Sequence, residues 1–237
     1  MAHTCSMKPL KRITASVVAA ATLTLGLGAT SQAADYQLMN ATELEQAVLR
    51  SQMPRTLGPW TQNYYFTGKD ASLTKPTVCW NAQGDVNLPA AKNMGAVGYA
   101  IDANTNGSVT IYQYANAEKA KAALAALQAA KCADSPTVTD DGGKKVQGQS
   151  GSDFTDASQT GLGAGLNYTQ GDYILFTQLN TTQRGLAVVQ TEVFKAIPKS
   201  SSNDQQMNVA NKLGSVGKAW HKNVLATYDA FGQGNSR

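Results

Sequence analysis

An α+β fold, an antiparallel sheet with helices packed on it, is what this 237-residue sequence predicts. Two observations carry the prediction. Strand-like segments with an apolar residue at every second position are joined by short turns, which is the pattern of adjacent antiparallel strands. Between and after them lie segments whose apolar residues recur every three or four positions, the pattern of helices with one buried face.

The first segment is read apart from the fold. Lys8, Lys11 and Arg12 form a positive region, Ile13 to Ala29 is uncharged and apolar, and Ser31-Gln32-Ala33 places small residues at the −3 and −1 positions. This is the layout of a secretory signal peptide, residues 1–33, cleaved between Ala33 and Ala34. The apolar run, broken by Thr14, Ser16, Gly26 and Gly28, falls short of the ~20 residues of a bilayer span, so no stable membrane anchor is expected. The expected product is a secreted, extracellular single α+β domain, residues 34–237, a length suited to one core. The precursor carries 20 basic and 16 acidic residues. Three basic ones leave with the signal, so the mature chain has 17 against 16, or +1. With no basic cluster larger than Lys144-Lys145, a nucleic-acid partner is not expected. Cys5 also leaves. Cys79 and Cys132 remain, and in an oxidising compartment they are expected to form one disulfide, contributing about 4 kcal/mol in the chain-entropy view.

Along the mature chain, Thr42-Glu43-Leu44-Glu45 reads as a capping box with Thr42 as N-cap. A short helix follows to about Arg50, burying Leu44, Ala47 and Val48. Pro54, Gly58 and Pro59 interrupt it, and Trp60 to Trp80 reads as loop with one or two short strands. Ala96 to Ile101 is a strand with Val97, Tyr99 and Ile101 on one face. Asn104 to Gly107 supplies turn chemistry, and Val109 to Tyr114 returns beside it. Asn116 caps a helix from Ala117 to about Lys131 with Ala120, Leu124 and Leu127 along one side. Asp140 to Gly143 is a hairpin turn between short strands, and Gly161 to Gly165 a flexible connection. Two better strands, Tyr173 to Leu179 and Leu186 to Lys195, flank a link at Asn180 to Gly185, with Ala187, Val189, Thr191 and Val193 facing the core. Pro198 to Asn203 leads into a long C-terminal helix. Its stripe is Met207, Ala210, Leu213, Gly217, Trp220, Val224, Tyr228 and Phe231.

Catalytic signatures are absent. The mature chain keeps one histidine, His221, one step off that stripe and read as a partly exposed packing residue. There is no Gly-x-Ser-x-Gly elbow to pair with it. One histidine and two paired cysteines cannot make a zinc site, and Asp140-Asp141 and Asp153-x-x-Asp156 lack the spacing of a calcium loop. Gly161 to Gly165 lacks the Lys-Ser/Thr ending of a phosphate loop. No metal, cofactor or catalytic residue is therefore assigned. The aromatics are more suggestive. Trp60, Tyr64 and Trp80 lie in the irregular segment, and Tyr112 and Tyr114 share one strand face. Aromatics with a polar tip suit ligand surfaces, although the same residues also suit a minor core under the long loop.

The segment from Thr110 to Leu124, running on to Ala130-Lys131-Cys132, resembles the extracellular sensor domain of actinobacterial PknH-like Ser/Thr kinases, a family that includes free secreted proteins and lipoproteins. The later strand pair and Ala196-Ile197-Pro198 are similar to its C-terminal part, and the likeness spans about Val78 to Lys199. It implies an α+β domain with a ligand-binding cleft and carries no catalytic residue across. The second disulfide of kinase-attached members is missing, and the last helix has no counterpart in the likeness. The resulting expectation is a non-enzymatic binding or sensor-like domain for an extracellular small molecule, glycan or lipid fragment. A hydrolase using paired carboxylates and a protein-interaction or inhibitor module are the alternatives.

Overall fold

The computed structural model describes residues 36–68, 88–129, 137–139, 145–150 and 161–234. Cys79, Cys132, Trp80 and the cleavage site Ala33-Ala34 lie outside them.

Eight strands form one antiparallel sheet: β1 (Thr61–Gly68), β2 (Asn93–Asp102), β3 (Thr105–Gln113), β4 (Thr137–Thr139), β5 (Lys145–Ser150), β6 (Gly161–Gln170), β7 (Tyr173–Arg184) and β8 (Ala187–Pro198). Their spatial order is β1-β2-β3-β8-β7-β6-β5-β4. The chain runs β1 to β3 as a meander and crosses to the far edge through α2 (Ala117–Ala129). It then meanders back to lay β8 against β3, in register from Thr105↔Lys195 to Gln113↔Ala187. Helices α1 (Ala41–Arg50) and α3 (Asn203–Gly232) complete the α+β fold, the latter 30 residues and about 45 Å long.

The period of two divides the sheet residues between two cores. Val97, Tyr99, Val109, Ile111, Val189 and Val193 pack with Leu44 and Val48 of α1 and with Leu213, Trp220 and Val224 of α3. Their neighbours Met94, Ala96, Tyr112, Tyr114 and Val188 pack with Ala120, Ala123, Leu124 and Leu127 of α2. Each fully buried large side chain contributes roughly 1.5–3 kcal/mol by leaving water. Trp220 is also fixed by direction: its indole N–H donates to the Ser51 carbonyl at 3.0 Å.

Several local expectations shift. The N-cap of α1 is Asn40, not Thr42. Its Oδ1 accepts from Glu43 N at 2.9 Å while Glu43 Oε2 accepts from Asn40 N at 3.0 Å. The same box spacing thus occurs two residues earlier, with asparagine, the stronger cap, in first place. The β2–β3 turn is Ala103-Asn104, closed by Asp102 Oδ1 accepting from Asn104 N at 2.7 Å, so Asn106 and Gly107 are strand residues. Gly107 is there for space: a Cβ would sit 2.8 Å from Met53 Sδ and 2.9 Å from the Trp220 ring. The β7–β8 turn is Gly185-Leu186, with Gly185 at φ +53°, so Asn180 to Arg184 extend β7 instead of linking strands. Gly161 to Gly165 is strand β6, because backbone pairing to β7 needs no side chains. On α3 the buried stripe begins at Leu213; Met207 is 63% exposed, and in the preceding turns Val209 is the residue packed against the core. Asn116 caps α2 as expected, accepting from Lys119 N at 2.9 Å.

Candidate functional site

The face of β2, β3 and β8 that carries α2 is only partly covered by it, and its remaining rows are polar. Across the strands the register aligns Tyr64, Gly98, Ser108 and Glu192 in one row and Phe66, Ala96, Thr110 and Gln190 in the next. A third row, Met94, Tyr112 and Val188, passes under α2. Three hydroxyl or phenol side chains, Ser108, Thr110 and Tyr112, therefore stand two residues apart on β3, flanked by Tyr64 on one side and Glu192 on the other.

Gly98 makes the first row possible. The Tyr64 ring lies on its backbone, where any Cβ would overlap the ring. Lying there, the Tyr64 phenol reaches across β2 and is hydrogen-bonded by the Ser108 side chain, while its ring stays 49% exposed. Thr110 hydrogen-bonds the Tyr112 phenol in the same way. Burial raises both phenols above the ordinary tyrosine range, and the Glu192 charge raises each further. Both therefore stay protonated donors at neutral pH. Gln190 is fixed too, donating from Nε2 to Thr181 Oγ1 at 2.8 Å.

Such an arrangement offers one carboxylate, several hydroxyls that donate or accept, and one exposed aromatic face. Glu192 is the one acid in these rows, and glycoside hydrolysis needs two. Three other described acids have structural partners: Glu43 caps α1, Asp102 closes a turn, and Asp229 pairs with Arg184 at 2.7 Å. Among the described residues no group of three or more His, Cys, Asp or Glu could hold a metal.

Of the aromatics singled out in the sequence, Tyr64 and Tyr112 come together here. Tyr114 does not join them. It is fully buried under α2, its phenol oxygen without a hydrogen-bond partner. Trp60 packs into the opposite core, edge-on to Tyr99 at 4.7 Å, with Arg55 over its ring and its N–H donating to Met53 O at 2.6 Å. Ser108, Thr110, Gln190 and Glu192 were not anticipated. Their signal was available, since they alternate with Val109, Ile111, Val189, Thr191 and Val193, the residues that mark the core face.

His221 also differs from expectation. It is buried, between Thr191 Oγ1 at 3.0 Å from Nδ1 and Thr182 Oγ1 at 2.8 Å from Nε2. In either tautomer one ring nitrogen donates and the other accepts, and both threonine hydroxyls can reciprocate. Burial lowers its pKa to about 4, so it is a neutral structural group.

No protein-family model matches the chain, and no curated protein matches it. Its fold is similar to a solved one. The crystal structure of the extracellular domain of PknH from Mycobacterium tuberculosis overlaps with a TM-score of 0.46 at 12% identity, over 79% of this chain and 92% of that one. This is a weak likeness, of fold alone. Among the described residues no helix is long and apolar enough to cross a membrane.

Proposed function

We propose that the chain is a secreted, non-catalytic, sensor-like binding domain whose site is the Tyr64–Ser108–Thr110–Tyr112–Glu192 face. Its ligand is a small polyhydroxylated molecule, a glycan fragment being the best chemical fit. The observation that carries this reading is the Tyr64 ring, held flat on Gly98 beside a row of hydroxyls and one carboxylate. An exposed aromatic face takes the C–H surface of a sugar ring, the hydroxyls donate to or accept from its rim, and the Glu192 carboxylate accepts from it. The signal-like segment 1–33 supports release from the cell, and extracellular glycans are then the abundant candidates.

The test is an NMR titration of the purified protein against a panel of soluble extracellular oligosaccharides. At least one is expected to shift amides of Gly98, Ser108, Thr110 and Glu192, and Tyr64→Ala should weaken that ligand about tenfold, in line with the loss of a stacking contact. A panel that leaves those amides unmoved, or a ligand that binds Tyr64→Ala equally well, refutes the assignment.

A further inference from the structure

On the other side of the sheet lies a second concavity, independent of the Tyr64 face. It is a cleft of about 220 Å³ between the 3-10 turn Arg55–Leu57, the start of β3, the end of β8 and the first half of α3. Its wall is Leu57, Thr105, Lys195, Asn208, Val209, Lys212 and Leu213. We propose that it binds a small anionic amphiphile: a monocarboxylate with a short apolar body.

The lining divides by chemistry. Leu57, Val209 and Leu213 are apolar, and Leu213 is almost wholly buried, so the floor is closed by the main core. Lys195 and Lys212 both line the cleft, one from a strand and one from a helix. Among the described residues neither forms an ion pair with a carboxylate, and none of the lining residues is acidic. The ion pair formed between described residues, Arg184–Asp229, involves neither lysine. Lys195 is nonetheless positioned. It stands opposite Thr105 in the β3–β8 register, and its Nζ donates to Thr105 Oγ1 at 3.2 Å. Thr105 is itself buried, and as an acceptor from Lys195 it keeps its hydroxyl proton to donate. Asn208 lies one helical turn before Lys212 and adds an amide on the same side of α3.

Two like charges beside one apolar pocket repel each other until an anion arrives. A carboxylate placed between them accepts hydrogen bonds from both, which are stronger than neutral ones. An attached apolar group then covers Leu57 and Val209. Size sets the rest. A liquid water occupies about 30 Å³, so the cleft has room for about seven, or for a molecule of about ten non-hydrogen atoms. Benzoate and octanoate are of that size. Longer chains would have to leave through the mouth.

Calorimetric or NMR titration of the purified protein with sodium octanoate tests this, with octylamine and inorganic phosphate as comparison probes. Octanoate is expected to bind and to shift amides of Leu57, Lys195, Asn208 and Lys212, and both comparison probes to bind at least tenfold more weakly. Lys195→Gln and Lys212→Gln should each weaken octanoate about fivefold, and raising the salt concentration should weaken it further. Lys212 is exposed, so its variant keeps the test valid even where Lys195→Gln perturbs the β3–β8 pairing. Octylamine binding as well as octanoate, phosphate binding as well as octanoate, or octanoate indifferent to Lys212→Gln each overturns the proposal. Tyr64→Ala should leave octanoate affinity unchanged, which separates this site from the face proposed for glycans.

Discussion

Acidification should act on this protein in part through one buried side chain. His221 is buried with only threonine hydroxyls as partners, and desolvation alone lowers its pKa from 6.5 to about 4. The unfolded chain takes up a proton near pH 6.5, whereas the native protein refuses it until about pH 4. Its stabilising contribution is therefore complete above the unfolded value and falls as the pH drops between the two. The gap of roughly 2.5 units, at 1.36 kcal/mol each, amounts to about 3 kcal/mol. That is a large share of the roughly 5–15 kcal/mol that holds a domain together. Carboxylates also lose favourable interactions in acid, so the measurement must be a difference. His221→Gln does not titrate and can still donate to one threonine and accept from the other. Urea unfolding of both proteins, followed by tryptophan fluorescence at several pH values between about 4 and 7.5, should show the wild type losing about 3 kcal/mol more than the variant. Parallel stability curves would refute the argument, as would an imidazole that titrates near 6.5 by NMR in the folded state.

Two further outcomes follow from local geometry. Asn40→Ala should cost about 1 kcal/mol in the same unfolding assay and Thr42→Ala only a few tenths, because the cap of α1 is the asparagine; equal costs would contradict that placement. Trp220→Phe should destabilise by roughly 2–3 kcal/mol, since it leaves the Ser51 carbonyl in the core without its donor and opens a space beside Gly107, and a loss below about 1 kcal/mol would argue that the indole N–H is not needed there.

How much of this was legible in the sequence depended on the range over which each residue acts. Val97, Tyr99, Val109, Ile111, Val189 and Val193 declare their shared face by alternation alone, and α2 and the later half of α3 declare theirs by period. Errors gathered where a residue's reason lies far along the chain. Asn106-Gly107 has the composition of a turn, yet Gly107 is small because Trp220 and Met53 crowd it. Asn180 to Arg184 reads as a polar link, yet Thr182 is polar to face His221, Thr181 to meet Gln190, and Arg184 to clasp Asp229. His221 looked half exposed because the helical period places it one step beyond the stripe. The stripe is wider there, since β7 and β8 present threonines instead of aliphatic groups. The candidate site was hidden for a similar reason. Glu192 and Tyr64 share a row only through two intervening strands, so no local spacing joins them. Each was visible singly as the polar partner of a core residue.

That α3 follows every strand of the sheet in the sequence constrains when the protein can become stable. Its Leu213, Trp220, Val224 and Tyr228 roof the larger core, and β8, the strand that zips the two meanders together, precedes it by only a few residues. A ribosome that has not yet released these last stretches holds a polypeptide with an unclosed sheet and no lid. Such a nascent chain cannot bury the larger core, and it locks only once these last elements have been made.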